Sequence, residues 1–195
     1  MDADILHGAD YDTLISEAEN VPPGSFGAHF LPHLRLANPP YDDPSARGAF
    51  VGLSTDVGRG ALFRAVLEGL AYDSRNSLEP LLSHAGLEKL QAIHAIGGGT
   101  QNRLLMSIKA TVMNQEITVS GVEEATSLGA AILGGVGAGI YPDIPSALQD
   151  LHQNETTIHP VPDEVAFYDA AFQKIYADLY PTLRNIHHEI EHLQE

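Results

Sequence analysis

The feature that most constrains the fold is a short apolar segment that runs directly into three consecutive glycines. The apolar residues of 92–96 suit a buried strand. A helical pattern follows the glycines and ends near Asn114, with no proline inside it. Gly97, Gly98 and Gly99 are therefore predicted to form a strand-to-helix turn, which either binds a ligand or only reverses the chain.

Strands and helices alternate on the C-terminal side of this turn. Residues 116–121 alternate as a strand, and residues 123–139 follow as a helix whose first turn is acidic, an arrangement that the helix dipole favours. Strands of this length joined by helices pair in parallel within a sheet that helices cover. The sequence therefore predicts an α/β fold, and no linker divides the chain into two domains.

Further helices are predicted on both sides of this central region. Residues 10–19 suit a short amphipathic helix, and the tail from Asp163 onward is helical with an interruption at Pro181. The longest helical pattern begins at Arg59 and ends near Ser83. Its predicted apolar face consists of Leu62, Val66, Leu70 and Ala71.

The charge of the chain excludes two classes of partner. Its 26 acidic and 10 basic residues give a formal net charge of −16. Such a charge repels both a phosphate backbone and an anionic membrane surface, so we expect neither nucleic acid nor a membrane as a partner. Small anions can still bind, because backbone amides form local sites that net charge does not abolish.

Cysteine usage and apolar patterning indicate the compartment. The chain has no cysteine, which excludes disulfides, thiolate metal sites and cysteine nucleophiles and fits a reducing cytoplasm. Its acidic beginning does not resemble a secretion signal. Residues 127–142 are the most membrane-like segment, but they are shorter than the ~20 residues of a spanning helix. We predict that they form a buried, closely packed helix of a cytoplasmic protein.

The residues of the glycine turn support two interpretations. Unpaired amides at the start of a helix suit a phosphate or a flat polar ring. However, GGGTQN at 97–102 lacks both the Gly-Lys-Ser/Thr ending of a Walker loop and the G-x-G-x-x-G dinucleotide fingerprint. The triple glycine alone favours a structural turn. Asn102 shifts the balance towards a ligand site, because its amide could face the glycine pocket.

Two further motifs are better explained by structural roles. His188 and His192 form an H-E-x-x-H pattern typical of zinc sites, but only LQE follows them to supply a third ligand. Asp42 and Asp43 lie in a proline turn with Arg47, where adjacent aspartates usually cap the chain or pair with an arginine. We therefore assign no catalytic residue and no metal ligand.

Four stretches of the chain resemble the C-terminal lobe of the FGGY carbohydrate kinases, the group that contains xylulokinase and glycerol kinase. They are FLPHLRLANPPYDDPSARGAFVGLS, FRAVLEGLAYDSR, IGGGTQNRLLMSIKATVMNQEITV and EEATSLGAAILGGVGAGIYPD. With the connecting helices they cover most of residues 26–145, and the helix around YADLYPTL ends the chain as such kinases end. Four matching stretches in the expected order indicate this family far more specifically than any single stretch does.

The resemblance implies an actin-like ATPase fold, in which two ribonuclease H-like lobes surround a cleft. It also implies Mg²⁺-dependent transfer of the ATP γ-phosphate to a hydroxyl of a sugar or polyol. In that family the glycine turn lies against the adenosine. By position, Gly98 corresponds to a glycine that contacts the adenine, and Asn102 to a polar neighbour of the adenine. The implied nucleotide-binding residues are Gly97, Gly98, Gly99 and Asn102.

The resemblance further implies that residues 1–195 are an incomplete C-terminal, nucleotide-side domain. The family's catalytic aspartate and sugar pocket lie in the N-terminal lobe, and its phosphate-binding strand–turn–strand precedes the segment matched here. We therefore expect the chain alone to be inactive and to meet a sugar or polyol only with the absent N-terminal domain. The strand that would pair with residues 91–96 is also absent, so we expect a homo-oligomer formed through that free edge.

Departures from the family pattern leave the geometry of phosphate binding and the sugar specificity open. Leu36 and Asn38 stand where the family often has glycine and arginine, and leucine would obstruct the approach of the backbone to nucleotide phosphates. Ala61 stands where a polar residue is usual. Two alternatives to a kinase lobe are a non-catalytic interaction module on the same scaffold and, more remotely, a zinc hydrolase built on residues 188–192.

Overall fold

Helices and strands alternate along the chain, as the sequence predicts. The structure, a computed structural model, describes residues 10–88, 90–122, 124–149 and 155–194. The helices within these ranges are α1 (Tyr11–Glu19), α2 (Arg59–Ala85), α3 (Arg103–Met113), α4 (Ala125–Gly137), α5 (Ile144–Gln149), α6 (Pro162–Ala171) and α7 (Ala177–His192). The strands are β1 (His29–Leu31), β2 (Ala49–Val51), β3 (Ile93–Ala95), β4 (Ile117–Ser120) and β5 (Glu155–Ile158).

The strands form two small sheets. β1 and β2 pair antiparallel, with Phe30 opposite Phe50. In the second sheet β4 lies between β3 and β5, parallel to β3 and antiparallel to β5. The parallel pairing of β3 and β4 across α3 confirms the predicted arrangement. Strand β5, which was not predicted from the sequence, begins next to residues 150–154, outside the described ranges.

Helix α2 is the central helix, and α1, α3 and β1 all pack against it. Its buried residues are Ala61, Arg64, Ala65, Leu67, Glu68, Gly69, Ala71 and Tyr72. The apolar face predicted for this helix is wrong at Leu70, which is 38% exposed. The physical reason is that the helix buries a charged pair, Arg64 and Glu68, and the spacing of apolar residues does not indicate that these two are buried.

The C-terminal helices close the core with aromatic side chains. A π-helical turn, Phe172–Tyr176, joins α6 to α7. The Tyr72 ring of α2 lies 5.0 Å from the Tyr176 ring and 6.1 Å from the Tyr168 ring, centroid to centroid. These rings are buried together with Phe172. The C-terminal region therefore supplies much of the core that covers α2.

The predicted interruption at Pro181 is wrong, because α7 continues through this residue. Proline has no N–H to donate to the carbonyl four residues earlier. That carbonyl belongs to Ala177, and it accepts a hydrogen bond from the Tyr41 hydroxyl at 3.3 Å instead. A side chain from the loop between β1 and β2 thus satisfies the group that Pro181 leaves free.

Helix α4 is more exposed than predicted. Ile132 and Gly135 are buried, but Leu133 is 63% exposed and Ile140, just beyond the helix, is 72% exposed. The expectation of a closely packed helix is wrong on this side, because α4 contacts chiefly α5 among the described residues. In the same described ranges, no helix is both long and apolar enough to cross a membrane.

Candidate functional site

The glycine turn follows β3 directly and leads into α3. Gly97 has φ of +88° and ψ of 174°, a backbone conformation that only glycine adopts without strain. Thr100 closes the turn, because its backbone N and its Oγ1 both donate to the Gly97 carbonyl, at 3.0 and 2.8 Å. Gly98–Gln101 form a 3₁₀ turn. The backbone therefore requires glycine at position 97.

Gly98 and Gly99 are not required by backbone conformation or packing. Neither has a positive φ, and a Cβ added at either position would meet no atom within 4 Å. Both residues are exposed. The outer face of the turn is thus bare backbone, a surface on which a flat ligand can lie close to the main chain.

Asn102 joins the turn to α3 and is buried, with 2% of its surface exposed. It is the N-cap of α3: its Oδ1 accepts a hydrogen bond from the Leu105 backbone N at 2.9 Å. Its Nδ2 donates to the Tyr11 hydroxyl, also at 2.9 Å. The structure therefore places Asn102 beside the glycines, but it directs the carboxamide towards α1 and α3. Tyr11 lies 91 residues away, so no local sequence pattern indicates this contact.

Two cavities flank the turn. One, of about 220 Å³, lies at the carboxyl ends of β3 and β4 and is lined by Gly97, Thr100, Arg103 and Ser120 among others. The carboxyl ends of parallel strands are the usual position of ligand crevices in such sheets. Small hydroxyl groups and one arginine guanidinium give this crevice polar groups that suit a phosphorylated ligand.

The second cavity, of about 500 Å³, lies along the free edge of β3. Its lining includes Ile96, Gly99 and Lys109. Burial lowers the pKa of Lys109, and the carboxylate of Asp73 acts in the opposite direction. The prediction that the apolar residues of 92–96 are buried is wrong: Ile93 and Ala95 are half-buried, Ala92 is exposed, and Ile96 is 60% exposed. The reason is that no described strand pairs with this edge of β3.

Asp43 anchors the loop before β2 to helix α7. Its carboxylate accepts hydrogen bonds from the Ser45 backbone N at 2.9 Å and from the Tyr180 hydroxyl. It also lies 2.6 Å from His188 Nε2 and 3.5 Å from Arg184 Nε. Burial by itself raises the pKa of Asp43, but the hydrogen bonds outweigh it and hold the pKa well below its usual range. The predicted structural role of Asp43 is confirmed.

The H-E-x-x-H pattern lies at the end of α7. His188 is bound to Asp43, and Arg47 lies 3.5 Å from Glu191, which occupies an x position of the pattern. Among the residues that the structure describes, no group of three or more His, Cys, Asp or Glu side chains could hold a metal ion. The geometry therefore uses this pattern to hold α7 against the loop around Asp43.

A buried charged network is centred on Glu68 of α2. The Glu68 carboxylate accepts hydrogen bonds from Arg64 Nε at 3.0 Å and from the Tyr168 hydroxyl at 3.0 Å. It also accepts from the Gly24 backbone N and the Ser25 hydroxyl, both at 2.9 Å. This carboxylate therefore ties α2 to α6 and to the turn before β1. No sequence pattern predicts this network, because its donors come from three separate segments.

Comparison with known proteins identifies the family. Residues 5–138 match the model of the C-terminal domain of the FGGY family of carbohydrate kinases. The chain is 30% identical over 184 residues to a xylulose kinase of Lactococcus lactis, covering 94% of this chain and 36% of that protein. The chain belongs to the FGGY family of carbohydrate kinases, in which it corresponds to the C-terminal domain.

Solved structures show the same fold. The crystal structure of ligand-bound xylulose kinase from Lactobacillus acidophilus matches 92% of this chain, with a TM-score of 0.78 and 26% identity. The structure of Plasmodium falciparum glycerol kinase with ADP matches 86%, with a TM-score of 0.70 and 26% identity. The expected actin-like ATPase fold, as a partial C-terminal lobe, is confirmed. The chain spans 36% and 33% of these two proteins.

Proposed function

We propose that this chain is the nucleotide-binding, C-terminal lobe of an ATP-dependent kinase that transfers the γ-phosphate to a hydroxyl of a sugar or polyol. The bare face of the glycine turn carries the proposal. Gly98 and Gly99 lack side chains where neither packing nor backbone conformation demands it. A binding surface for the adenosine explains this pattern, and a simple chain reversal does not.

In this proposal Gly97, Gly98, Gly99 and Asn102 form the wall against which the adenosine lies. The glycines present the surface, and Asn102 holds the surface to α3 through its cap on Leu105. One relative of known structure, a glycerol kinase, was solved with ADP, which supports a nucleotide as the ligand of this proposal. A phosphorylated adenosine would extend from the turn towards the crevice at the carboxyl ends of the strands.

The Mg²⁺ of the complete reaction is assigned no protein ligand in this chain. The described residues bring together no group of carboxylates and histidines suited to a metal ion. Asp43, a carboxylate with a strongly lowered pKa, is already occupied by Tyr180, His188 and Ser45. Because Mg²⁺ keeps several waters and takes few protein ligands, the nucleotide phosphates would supply much of its coordination.

The Gly98→Val variant tests the nucleotide site. The valine side chain should fit the folded structure, because a Cβ at this position meets no atom within 4 Å. It should nevertheless obstruct the adenosine and weaken ADP binding about 10-fold or more in calorimetric titrations. Gly137→Val, a similarly open glycine at the end of α4, serves as the control and should bind ADP like the parent.

Two outcomes of this titration would contradict the proposal. Equal ADP binding by the parent and by Gly98→Val would show that the nucleotide lies elsewhere. Absence of ADP and ATP binding by the folded parent would favour the alternative of a non-catalytic interaction module.

The 195-residue chain by itself is expected to bind nucleotide without phosphorylating a sugar. Phosphoryl transfer needs a positioned acceptor hydroxyl, a base and charge stabilisation together, and the chain spans about a third of its relatives. A coupled ADP-release assay over pentoses, hexoses and glycerol provides the measurement. Turnover of ATP that depends on any one of these acceptors would overturn this prediction.

We also propose that the chain self-associates through β3. One edge of β3 is free of described partners, and the exposed Ile96 lies beside it. Unpaired strand edges pair readily with another chain. Sedimentation at micromolar concentration should show a dimer or larger species, with slow amide exchange at residues 91–96. A monomer with rapid exchange there would refute the proposal.

A further inference from the structure

We infer that Tyr11 is a positioning residue of the nucleotide site, which acts by fixing the carboxamide of Asn102. The inference rests on the proposed function of the glycine turn. It assigns a role in nucleotide binding to α1, a helix that lies 91 residues before Asn102 in the chain.

The contact between the two side chains has a defined direction. Asn102 Oδ1 must face the Leu105 N–H, because only an oxygen can accept that hydrogen bond. Nδ2 is thereby turned towards the Tyr11 hydroxyl, which accepts at 2.9 Å. Since Asn102 is buried, the loss of this acceptor would leave an amide donor without a partner. The Tyr11 oxygen is thus what allows Asn102 to keep its capping orientation.

A docked helix holds the Tyr11 hydroxyl in place. The Tyr11 ring lies edge-on against Phe63 of α2, with centroids 5.8 Å apart and planes at 87°. Arg59 of α2 forms an ion pair with Glu17 of α1. Gly60 lets the two backbones approach, since a Cβ there would lie 2.9 Å from the Glu17 carbonyl oxygen. The hydroxyl is therefore supplied by the first residue of a helix that is held on α2, although Tyr11 itself is 53% exposed.

The orientation of Asn102 determines the position of the glycine turn. Its backbone N donates to the Gly99 carbonyl at 3.4 Å, and its own carbonyl accepts from the Met106 N at 3.1 Å. One residue thus belongs both to the end of the 3₁₀ turn and to the start of α3. If Asn102 relaxes, the bare face at Gly98 and Gly99 moves relative to α3, and the surface offered to the adenosine changes with it.

A double-mutant cycle on the full 195-residue chain tests the inference. ADP affinities would be measured by calorimetry for the parent, Tyr11→Phe, Asn102→Ala and the double variant. Tyr11→Phe should weaken ADP binding about 3- to 10-fold, the loss expected for one hydrogen bond. In the Asn102→Ala background the same change should add no further loss, because Tyr11 acts through Asn102. Tyr141→Phe, on the loop after α4, should bind ADP like the parent.

A second measurement needs no nucleotide. The side-chain amide resonances of Asn102 in ¹⁵N NMR spectra should shift in Tyr11→Phe and stay in place in Tyr141→Phe. Unchanged resonances would overturn the inference even if the parent binds ADP. An equal loss of affinity in both backgrounds, or no loss in either, would also overturn it. A parent that binds no ADP would refute the proposed function, and the inference would fall with it.

Discussion

Replacing Glu68 with alanine is expected to lower the free energy of unfolding by about 3–5 kcal/mol, the cost of breaking a buried ion pair from one side. Glu68 and Arg64 have only 2% and 6% of their side-chain surface exposed. Without the carboxylate, the Arg64 guanidinium would stay buried with no counter-charge. The Gly24 amide and the Ser25 and Tyr168 hydroxyls would also lose an acceptor. Urea unfolding monitored by circular dichroism gives the measurement.

Two companion variants make this result interpretable. Glu79→Gln removes one of the two carboxylate partners of Arg75, with 46% of the Glu79 side chain exposed and Asp169 still bound to Arg75, and should cost less than about 1 kcal/mol. Glu68→Gln keeps the shape of the side chain and should cost about 2 kcal/mol, which leaves a measurable fold if the alanine variant is unfolded. If both Glu68 variants lower the free energy of unfolding as little as Glu79→Gln does, the buried network is contradicted.

The Asp43→Asn variant should lower the free energy of unfolding by about 2–3 kcal/mol near pH 6, because hydrogen bonds to a charged acceptor are lost. An amide keeps the shape of the carboxylate, but it brings N–H donors towards Tyr180 and His188, which need an acceptor. The burial and the hydrogen bond to Asp43 together raise the pKa of Tyr180 to about 12, so its hydroxyl stays protonated and donates throughout this pH range.

The effect of Asp43 should depend on pH in a defined direction. The folded pKa lies below the unfolded value of about 3.9, so the carboxylate stabilises the fold fully above that value. The stabilisation is lost as the pH falls from there towards the lowered pKa. Parent and Asp43→Asn should therefore differ less at pH 3 than at pH 6. Asp42→Asn, at the exposed neighbouring position, should differ from the parent by less than about 0.5 kcal/mol at both pH values. A gap that widens on acidification would contradict the role assigned to Asp43.

The sequence predicted the elements that local patterns determine. The strand, glycine turn and helix from β3 to α3 followed from apolar periodicity and from glycine chemistry at Gly97. The parallel pairing of β3 with β4 followed from the helix between them. The start of α2 at Arg59 was predicted, and its end at Ala85 was placed only two residues early. In each case the information lies within about one element of the chain.

The elements that the sequence did not predict depend on contacts between distant segments. The burial of Glu68 could not be read from α2, because Tyr168 is 100 residues away. The continuation of α7 through Pro181 depends on Tyr41, whose hydroxyl takes the place of a helical donor. The orientation of Asn102 depends on Tyr11. The exposure of Ile96 depends on what lies beside β3, which local periodicity does not report.

The closure of the core by α6 and α7 has a consequence for synthesis on the ribosome. Asp43 contacts His188, which is 145 residues later in the chain, and Glu68 contacts Tyr168, which is 100 residues later. Both contacts can form only when the C-terminal helices have emerged from the ribosome. Until then Glu68 has only Arg64, Gly24 and Ser25 as partners, the Tyr72 ring stays exposed to water, and a long loop must close before the aromatic core can form. The lobe therefore completes its folding only after α6 and α7 have emerged, and a nascent chain stalled before residue 162 exposes the face of α2 that binds α6.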